Sequence, residues 1–282
     1  SGTMPAAVDG TRRDGRAVTV HFSTALDDGG WIVEVRPAGR ATGPVSDSGR
    51  GDRILLPDAV QLVLRTPDPA GQTRLWRADV GVEGGVAAYL GRRGRPIRYA
   101  YVSAPAALAE YQTVFAREVG SAEMPSAGRP FTADLVVDLI TRGVAVAPIT
   151  LHTGVSSQEP GEPPLPERYV VPEATARAVN VTRAAGARVI AVGTTATRAL
   201  ESATDVSGTV RAAAGWTDLV LGTRRPARVV NGLISGWHAP GASHLELLEA
   251  VAGTELVDRA YREALRERYL WHEFGDSCLL LP

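Results

Sequence analysis

Hydrophobic and polar positions follow two different periods along this chain, and the change falls near Arg95. From about Arg16 to Val82, short alternating runs recur between turn residues. Ala17–Phe22 is followed by Asp27-Asp28-Gly29-Gly30, then Trp31–Val35, and later Arg53–Leu56, Val60–Leu64 and Arg74–Val80. Alternate side chains of a strand share a face, so period-two runs punctuated by Gly, Pro and Asp predict an all-β sandwich or small barrel. The Gly-, Ser- and Pro-rich tract from Pro37 to Asp52 reads as a link between strands.

From Arg95 onward, strand and helix patterns alternate. Thr132–Thr141 reads as a helix stopped by Gly143, and Val144–Leu151 as an apolar strand. Pro172 opens a helix running through Ala185 with Gly186 as its stop, and Arg188–Val192 reads as a buried strand. Ala196–Ala203 is helical, Asp218–Leu221 and Val229–Ile234 are strands, and Ser243–Tyr269 is mostly helix. Proline at helix starts and glycine after helix ends, with strands between, predict an α/β fold with a parallel sheet.

Composition narrows the chemistry. The 282 residues are 44% hydrophobic and 22% charged, enough apolar material for a sizeable core. A formal net charge of -1 excludes a polybasic protein that holds nucleic acid by bulk charge and leaves only local patches. One cysteine, Cys278, excludes a disulfide scaffold and a Cys-rich zinc module. No run is long and apolar enough for a membrane span, and the opening Ser1-Gly2-Thr3-Met4-Pro5 does not read as a signal peptide. A cytoplasmic location with no membrane partner is the expectation. All 30 basic residues are arginine, so no Schiff-base or general-base lysine exists.

The sharpest local signal is Arg188–Glu201, where a buried strand runs into Gly193-Thr194-Thr195 and straight into a helix. That turn aims free N–H groups, hydroxyls and the positive end of the helix dipole at an anion such as a phosphate or an amino-acid carboxylate. Arg198 could add a fork of donors. Equally, Thr194 and Thr195 could simply cap the helix. His152 closes an apolar strand, and His238 follows another in a loop beside Trp237; both suit proton transfer at the carboxyl ends of strands, or a structural role. His21, His244 and His272 lack such context. Glu167 follows the Pro-rich stretch Glu159–Pro166. Arg92, Arg93, Arg95 and Arg98 fall within seven residues and could grip RNA phosphates or form an ordinary solvated surface. Neither a P-loop nor a zinc-ligand spacing occurs, so no metal is expected.

Taken in order, these blocks resemble the S-adenosylmethionine:tRNA ribosyltransferase-isomerase family of queuosine synthesis. Pro125-Ser126-Ala127-Gly128-Arg129-Pro130-Phe131-Thr132 is similar to its P-T-A-G-L-H-F-T, and Leu151-His152-Thr153-Gly154 to its L-H-V-G. Val192–Ser202 is similar to V-G-T-T-x-x-R-x-L-E-S. Thr217-Asp218-Leu219, Trp237-His238-Ala239-Pro240 and Phe274-Gly275-Asp276 resemble T-D-L-F, F-H-L-P and Y-G-D. The resemblance covers roughly Ile97 to the end. It implies an α/β fold with a mostly parallel curved sheet and an inserted small antiparallel β-barrel. Residues 1–14 would then start the α/β domain, 15–90 form the barrel and 91–282 the main catalytic domain.

The implied reaction transfers and isomerises the ribosyl group of S-adenosylmethionine onto 7-aminomethyl-7-deazaguanine in tRNA, giving epoxyqueuosine, adenine and methionine. Such chemistry needs a base beside the sulfonium, an acid near adenine and donors for the methionine carboxylate. The resemblance assigns Gly193, Thr194, Thr195, Arg198 and Trp237 to the co-substrate, and His152, His238 and Glu167 to proton transfer or adenine contact. The chain departs from the family at Pro130, at Ser156-Ser157-Gln158, at Leu165 and at Gly236, each of which replaces a family His, Gly-Thr-Phe element, His or Asn. Its opening residues resemble N-x-S-x-x-x-P-A, so the family's usual leading segment is expected to be missing here. A relative that acts on a small molecule, or that only binds S-adenosylmethionine, also fits these departures.

Overall fold

A computed structural model of the chain describes residues 1–39, 43–98, 106–155, 164–238, 243–271 and 273–282. After β1 (Gly2–Thr3), six strands close on themselves: β2 (Ala7–Arg12), β3 (Ala17–Ala25), β4 (Trp31–Pro37), β5 (Arg53–Leu55), β6 (Gln61–Pro67) and β7 (Leu75–Gly81). Their spatial order is β2-β3-β4-β7-β6-β5, with every pairing antiparallel. Closure leaves no free sheet edge. Register puts Val20 opposite Val35 and Phe22 opposite Val33, and these side chains with Trp31 and Leu62 fill the barrel. The helix α1 (Val86–Arg93) adds Val86, Tyr89 and Leu90 to the same core.

The barrel begins at Ala7, earlier than the Gly15 boundary read from the sequence. Ala7–Arg12 lacks a clean alternation because Gly10 interrupts it. A Cβ at Gly10 would stand 2.8 Å from both Ile54 Cγ2 and Leu56 Cδ2, so glycine is needed where β2 crosses β5 to close the barrel. The barrel is an insertion, since β1 pairs in parallel with β8 (Val119–Ser121), which lies beyond it in the chain.

The remaining elements are α2 (Ala133–Thr141), β9 (Thr150–His152), β10 (Glu167–Val171), α3 (Glu173–Ala184), β11 (Ile190–Val192), α4 (Thr194–Ser202), β12 (Ala213–Thr217), β13 (Gly232–Gly236), α5 (Ser243–Ala252), α6 (Thr254–Arg266) and β14 (Ser277–Leu280). One sheet runs β12-β10-β9 with antiparallel pairs, and another runs β11-β13-β14. The predicted parallel pairing is realised at β1·β8 and β11·β13, and β14 extends the latter antiparallel. A second core joins these sheets to α3, α4, α5 and α6 through Leu151, Val179, Leu200, Leu233, Leu248 and Val257.

Three predicted strands shift. Only Thr150–His152 of the Val144–Leu151 run pairs, because β10 reaches no further than Val170 opposite Thr150 before Pro172 opens α3; Val144 and Val146 are exposed. Asp218–Leu221 is not a strand, and the small-residue segment Ala213–Thr217 pairs with β10 instead. The Val229–Ile234 strand starts later, at Gly232. Among the described residues, no helix is long and apolar enough to cross a membrane.

Candidate active site

Topology gathers three loops at one end of the β11-β13-β14 sheet. Since β11 and β13 are parallel, Gly193 and Trp237-His238 leave from the same side, and the Gly236 to Ser277 pairing brings the segment before β14 to that side as well. The carboxyl ends of parallel strands are where open α/β sheets bind ligands. Gly193 has φ 99 and ψ 148, backbone that only glycine adopts readily, and this lets α4 start immediately at Thr194. The short turn Ser126–Gly128 packs against it, with Ala127 Cβ 3.6 Å from where a Gly193 Cβ would lie.

The helix α4 holds the surroundings together. Arg198 was expected to face an anion; its donors instead meet protein. Its Nε donates to Leu219 O at 3.0 Å and its Nη2 to Leu165 O and Thr217 O at 3.1 Å each, while Nη1 pairs with Glu167. These acceptors lie on β10, on the end of β12 and beside them, so the buried guanidinium acts as a fastener. Glu201 accepts from the N–H groups of Arg228, Val229 and Val230 at 2.8–3.0 Å, and Ser202 Oγ lies 2.6 Å from Thr217 Oγ1. The R-x-L-E-S pattern therefore ties α4 to the strands on either side.

Glu167 lies on the buried face of β10. Burial pushes its carboxyl up to about 7 against the pull of Arg198, and the charge of Glu123 adds to the rise. His152 stands opposite Arg168 in the ladder, so it shares the other face of β10 from Glu167. Its ring packs on Gly120, its Nδ1 has no hydrogen-bond partner among the described residues, and burial lowers its pKa, helped by the amino terminus and Arg168. The structure thus does not bring His152 to the Glu167–Arg198 pair.

His238 sits at the sheet end, its N–H donating to Tyr261 Oη at 3.2 Å and its Nε2 3.4 Å from Ser235 Oγ. Its ring stacks on His244 at 4.3 Å between centroids and 13° between planes. Burial and then the Arg198 charge lower the His244 pKa, which places this second imidazole near α4. Trp237 is buried among Tyr261, Tyr269 and Trp271, and its indole N–H has no acceptor among the described residues.

Sequence reading missed two carboxylates. Glu123 and Glu273 are both buried, and Glu273 Oε2 has no hydrogen-bond partner among the described residues. Burial and the Glu123 charge push Glu273 up to about 8. The adjoining Phe274 ring meets Tyr111 edge-on at 5.0 Å and carries Arg129 over its face at 5.0 Å. His272, Ala239-Pro240-Gly241, Ser156–Gln158 and most of the Glu159–Pro166 stretch lie outside the described residues. Among those described, no group of three or more His, Cys, Asp or Glu is placed to hold a metal ion.

In the arginine cluster, Arg93 pairs with Asp58 at 2.6 Å and Arg95 with Asp9 at 2.7 Å, both at the surface. Arg92 is exposed and Arg98 is half-buried.

The chain is similar to known proteins along most of its length. A family model described as "Queuosine biosynthesis protein" matches residues 1–280. An S-adenosylmethionine:tRNA ribosyltransferase-isomerase of Symbiobacterium thermophilum is 38% identical over 99% of this chain and 82% of its own length. One from Moorella thermoacetica is 35% identical with the same coverage, and one from Geobacter sulfurreducens 37% identical over 82% of this chain and 69% of its own. A crystal structure of S-adenosylmethionine tRNA ribosyltransferase from Thermotoga maritima is 25% identical, covers 99% of this chain and 80% of that one, and has a TM-score of 0.47. With a family match running through 280 residues and relatives above 30% identity along its length, the chain belongs to the queuosine biosynthesis protein family.

Proposed function

We propose that this chain is the S-adenosylmethionine-dependent enzyme that transfers and isomerises the ribosyl group onto 7-aminomethyl-7-deazaguanine in tRNA, yielding epoxyqueuosine, adenine and methionine. The observation that carries the reading is the family match over residues 1–280. A tRNA substrate puts the reaction in the cytoplasm.

In this reading the first-turn amides of α4, opened by Gly193 and flanked by the Thr194 and Thr195 hydroxyls, take the methionine carboxylate. Trp237 lines the same end of the sheet. A base must remove a proton beside the positive sulfur, which stabilises the carbanion, and an acid must assist departure of adenine. Glu167 suits either task, because a carboxyl near 7 gives and takes a proton at neutral pH with little driving-force penalty. Arg198 is its positioning residue. His238, stacked on His244, supplies a second proton-transfer group or an adenine contact, and His152 remains a proton-transfer group for the opposite face of β10. Arg92, Arg93, Arg95 and Arg98 would meet tRNA phosphates, which position the nucleic acid without reading sequence.

The test is direct: purified protein given S-adenosylmethionine and tRNA bearing the deazaguanine base should release adenine and methionine together. No adenine release from the folded protein overturns the reading. The departures at Pro130, Leu165 and Gly236, with Arg93 and Arg95 ion-paired to Asp58 and Asp9, favour one competing reading, a small-molecule acceptor. Equal turnover with and without tRNA would establish it.

A further inference from the structure

Two imidazoles from different elements lie face to face at the carboxyl end of the sheet. His238 follows β13, and His244 is the second residue of α5. Their centroids are 4.3 Å apart and their planes differ by 13°, so the rings are parallel plates in contact. His238 is held at two further points: its backbone N–H donates to Tyr261 Oη at 3.2 Å, and its Nε2 stands 3.4 Å from Ser235 Oγ. With the backbone and one ring nitrogen placed, the flat face of His244 governs the remaining freedom, the tilt of the ring.

The charges around the stack decide what it can carry. α5 packs on α4, α6 and β13. Tyr261 faces the pair from α6, and Cys278 of β14 stands opposite Ser235 of β13 in the ladder. Burial pushes the Tyr261 phenol up to about 12 and the Cys278 thiol up to about 11, so both are neutral at physiological pH. α4 contributes Arg198, a permanent cation bonded to Glu167. Glu246, on α5 itself, is exposed and its carboxylate lies against Gly222. Burial first and the Arg198 charge second lower the His244 pKa. Two positive charges 4.3 Å apart, at the effective dielectric of a protein site, weaken the binding of a second proton by about a thousandfold. The stack has room for one proton, and His244 is the ring that declines it.

We propose that His244 is the positioning residue of His238: it sets the plane of that imidazole and, staying uncharged, leaves His238 as the one proton carrier of the pair. The use of that proton rests on the function proposed above, in which His238 is a second proton-transfer group; the stack itself is a property of the folded chain. A neutral His238 takes one proton and gains one positive charge, and His244 does not share it.

The experiment is an NMR titration of the histidine rings in the full chain without ligand, the signals assigned through His238→Gln and His244→Phe. In the wild type the ring protons of both residues are displaced upfield by the stack. The first proton goes to His238, and the second enters the pair about three pH units or more below it. His244→Phe keeps a flat face and has no titrating nitrogen, so His238 retains its displacement and its midpoint. His244→Leu removes the flat face, and the displacement is lost. Adenine release at saturating S-adenosylmethionine then falls by on the order of tenfold in the Leu variant with KM unchanged, and is kept in the Phe variant. Two protonations within one pH unit of each other, no ring displacement in the wild type, or a natively folded Leu variant that behaves as the Phe variant does, each overturns the proposal. The wild-type and Phe titrations decide it even where the Leu variant fails to fold. Since the titration needs no turnover, a chain that releases no adenine loses the functional reading while the pair is still judged by its own signals.

Discussion

Two buried carboxylates, one in the barrel and one at the sheet end, show opposite electrostatic design. Glu34 is fully buried, and its oxygens meet Arg74 Nε at 2.7 Å and Arg36 Nη1 at 2.9 Å, with His21 Nδ1 3.4 Å away. Burial alone would raise its pKa, but His21 and the two arginines together lower it to about 2. The network lies on the outer side of the barrel wall, since His21 and Glu34 are paired between Val20·Val35 and Phe22·Val33, which face inward. Close by, the seam with the α/β part is closed by Val155 N–H donating to Ser23 Oγ at 3.0 Å. Glu273 is nearly as buried, yet its Oε2 has no partner among the described residues, and burial with the Glu123 charge pushes its pKa up to about 8. The barrel wall satisfies its charge completely and contributes architecture. At the sheet end burial favours the protonated carboxyl instead, the kind of perturbation that clusters at functional sites.

Removing the charge should therefore act in opposite directions in the two places. Glu34→Gln removes the carboxylate shared by buried Arg74 and partly buried Arg36 and should lower unfolding free energy by about 3–5 kcal/mol at neutral pH, read by urea denaturation. Because the folded pKa of Glu34 lies below its ordinary 4.5, the stabilisation is present above pH 4.5 and is lost as pH falls toward about 2. A loss under about 1 kcal/mol would remove the contrast.

Glu273→Gln should stabilise at high pH. The folded carboxyl holds its proton up to about 8 while the unfolded one releases it near 4.5, so wild-type stability declines as pH rises between those values. The variant lacks that decline and should exceed wild type by on the order of 2–4 kcal/mol at pH 8, the difference vanishing near pH 4.5. Melting curves across that range check it, and a pH-independent difference would contradict it.

A smaller effect is expected at the turn. Gly193→Ala forces a Cβ onto backbone at φ 99 and should cost about 1–3 kcal/mol, while weakening S-adenosylmethionine binding in calorimetry. Smallest in stability is the double change Arg93→Ala with Arg95→Ala. Exposed pairs with Asp58 and Asp9 are worth under about 1 kcal/mol, but each lost phosphate contact should flatten the salt dependence of tRNA binding by about one unit of slope.

The legible parts of this molecule are those encoded locally. Period-two alternation identified five of the six barrel strands, and the missing one is the strand whose Gly10 breaks the pattern for the sake of closure. The strand, glycine and helix of the 190–202 segment were readable because a glycine at the turn and a helix right behind it are adjacent in the chain. The role of Arg198 was not, since nothing near it in sequence announces Glu167 or the carbonyls at 165, 217 and 219. Glu273 and Glu123 are separated by 150 positions and become a pair only through folding. His244 had no motif around it; stacking on His238 is what gives it meaning.

The attachments of α4 carry one mechanical consequence. Arg198, Glu201 and Ser202 lie within five residues and moor the helix to β10, to the end of β12 and to the approach to β13. These moorings hold the first turn of α4 and the carboxyl group of Glu167 in one fixed spatial relation, so a substitution that cuts one of them, such as Ser202→Ala, should disturb both places together.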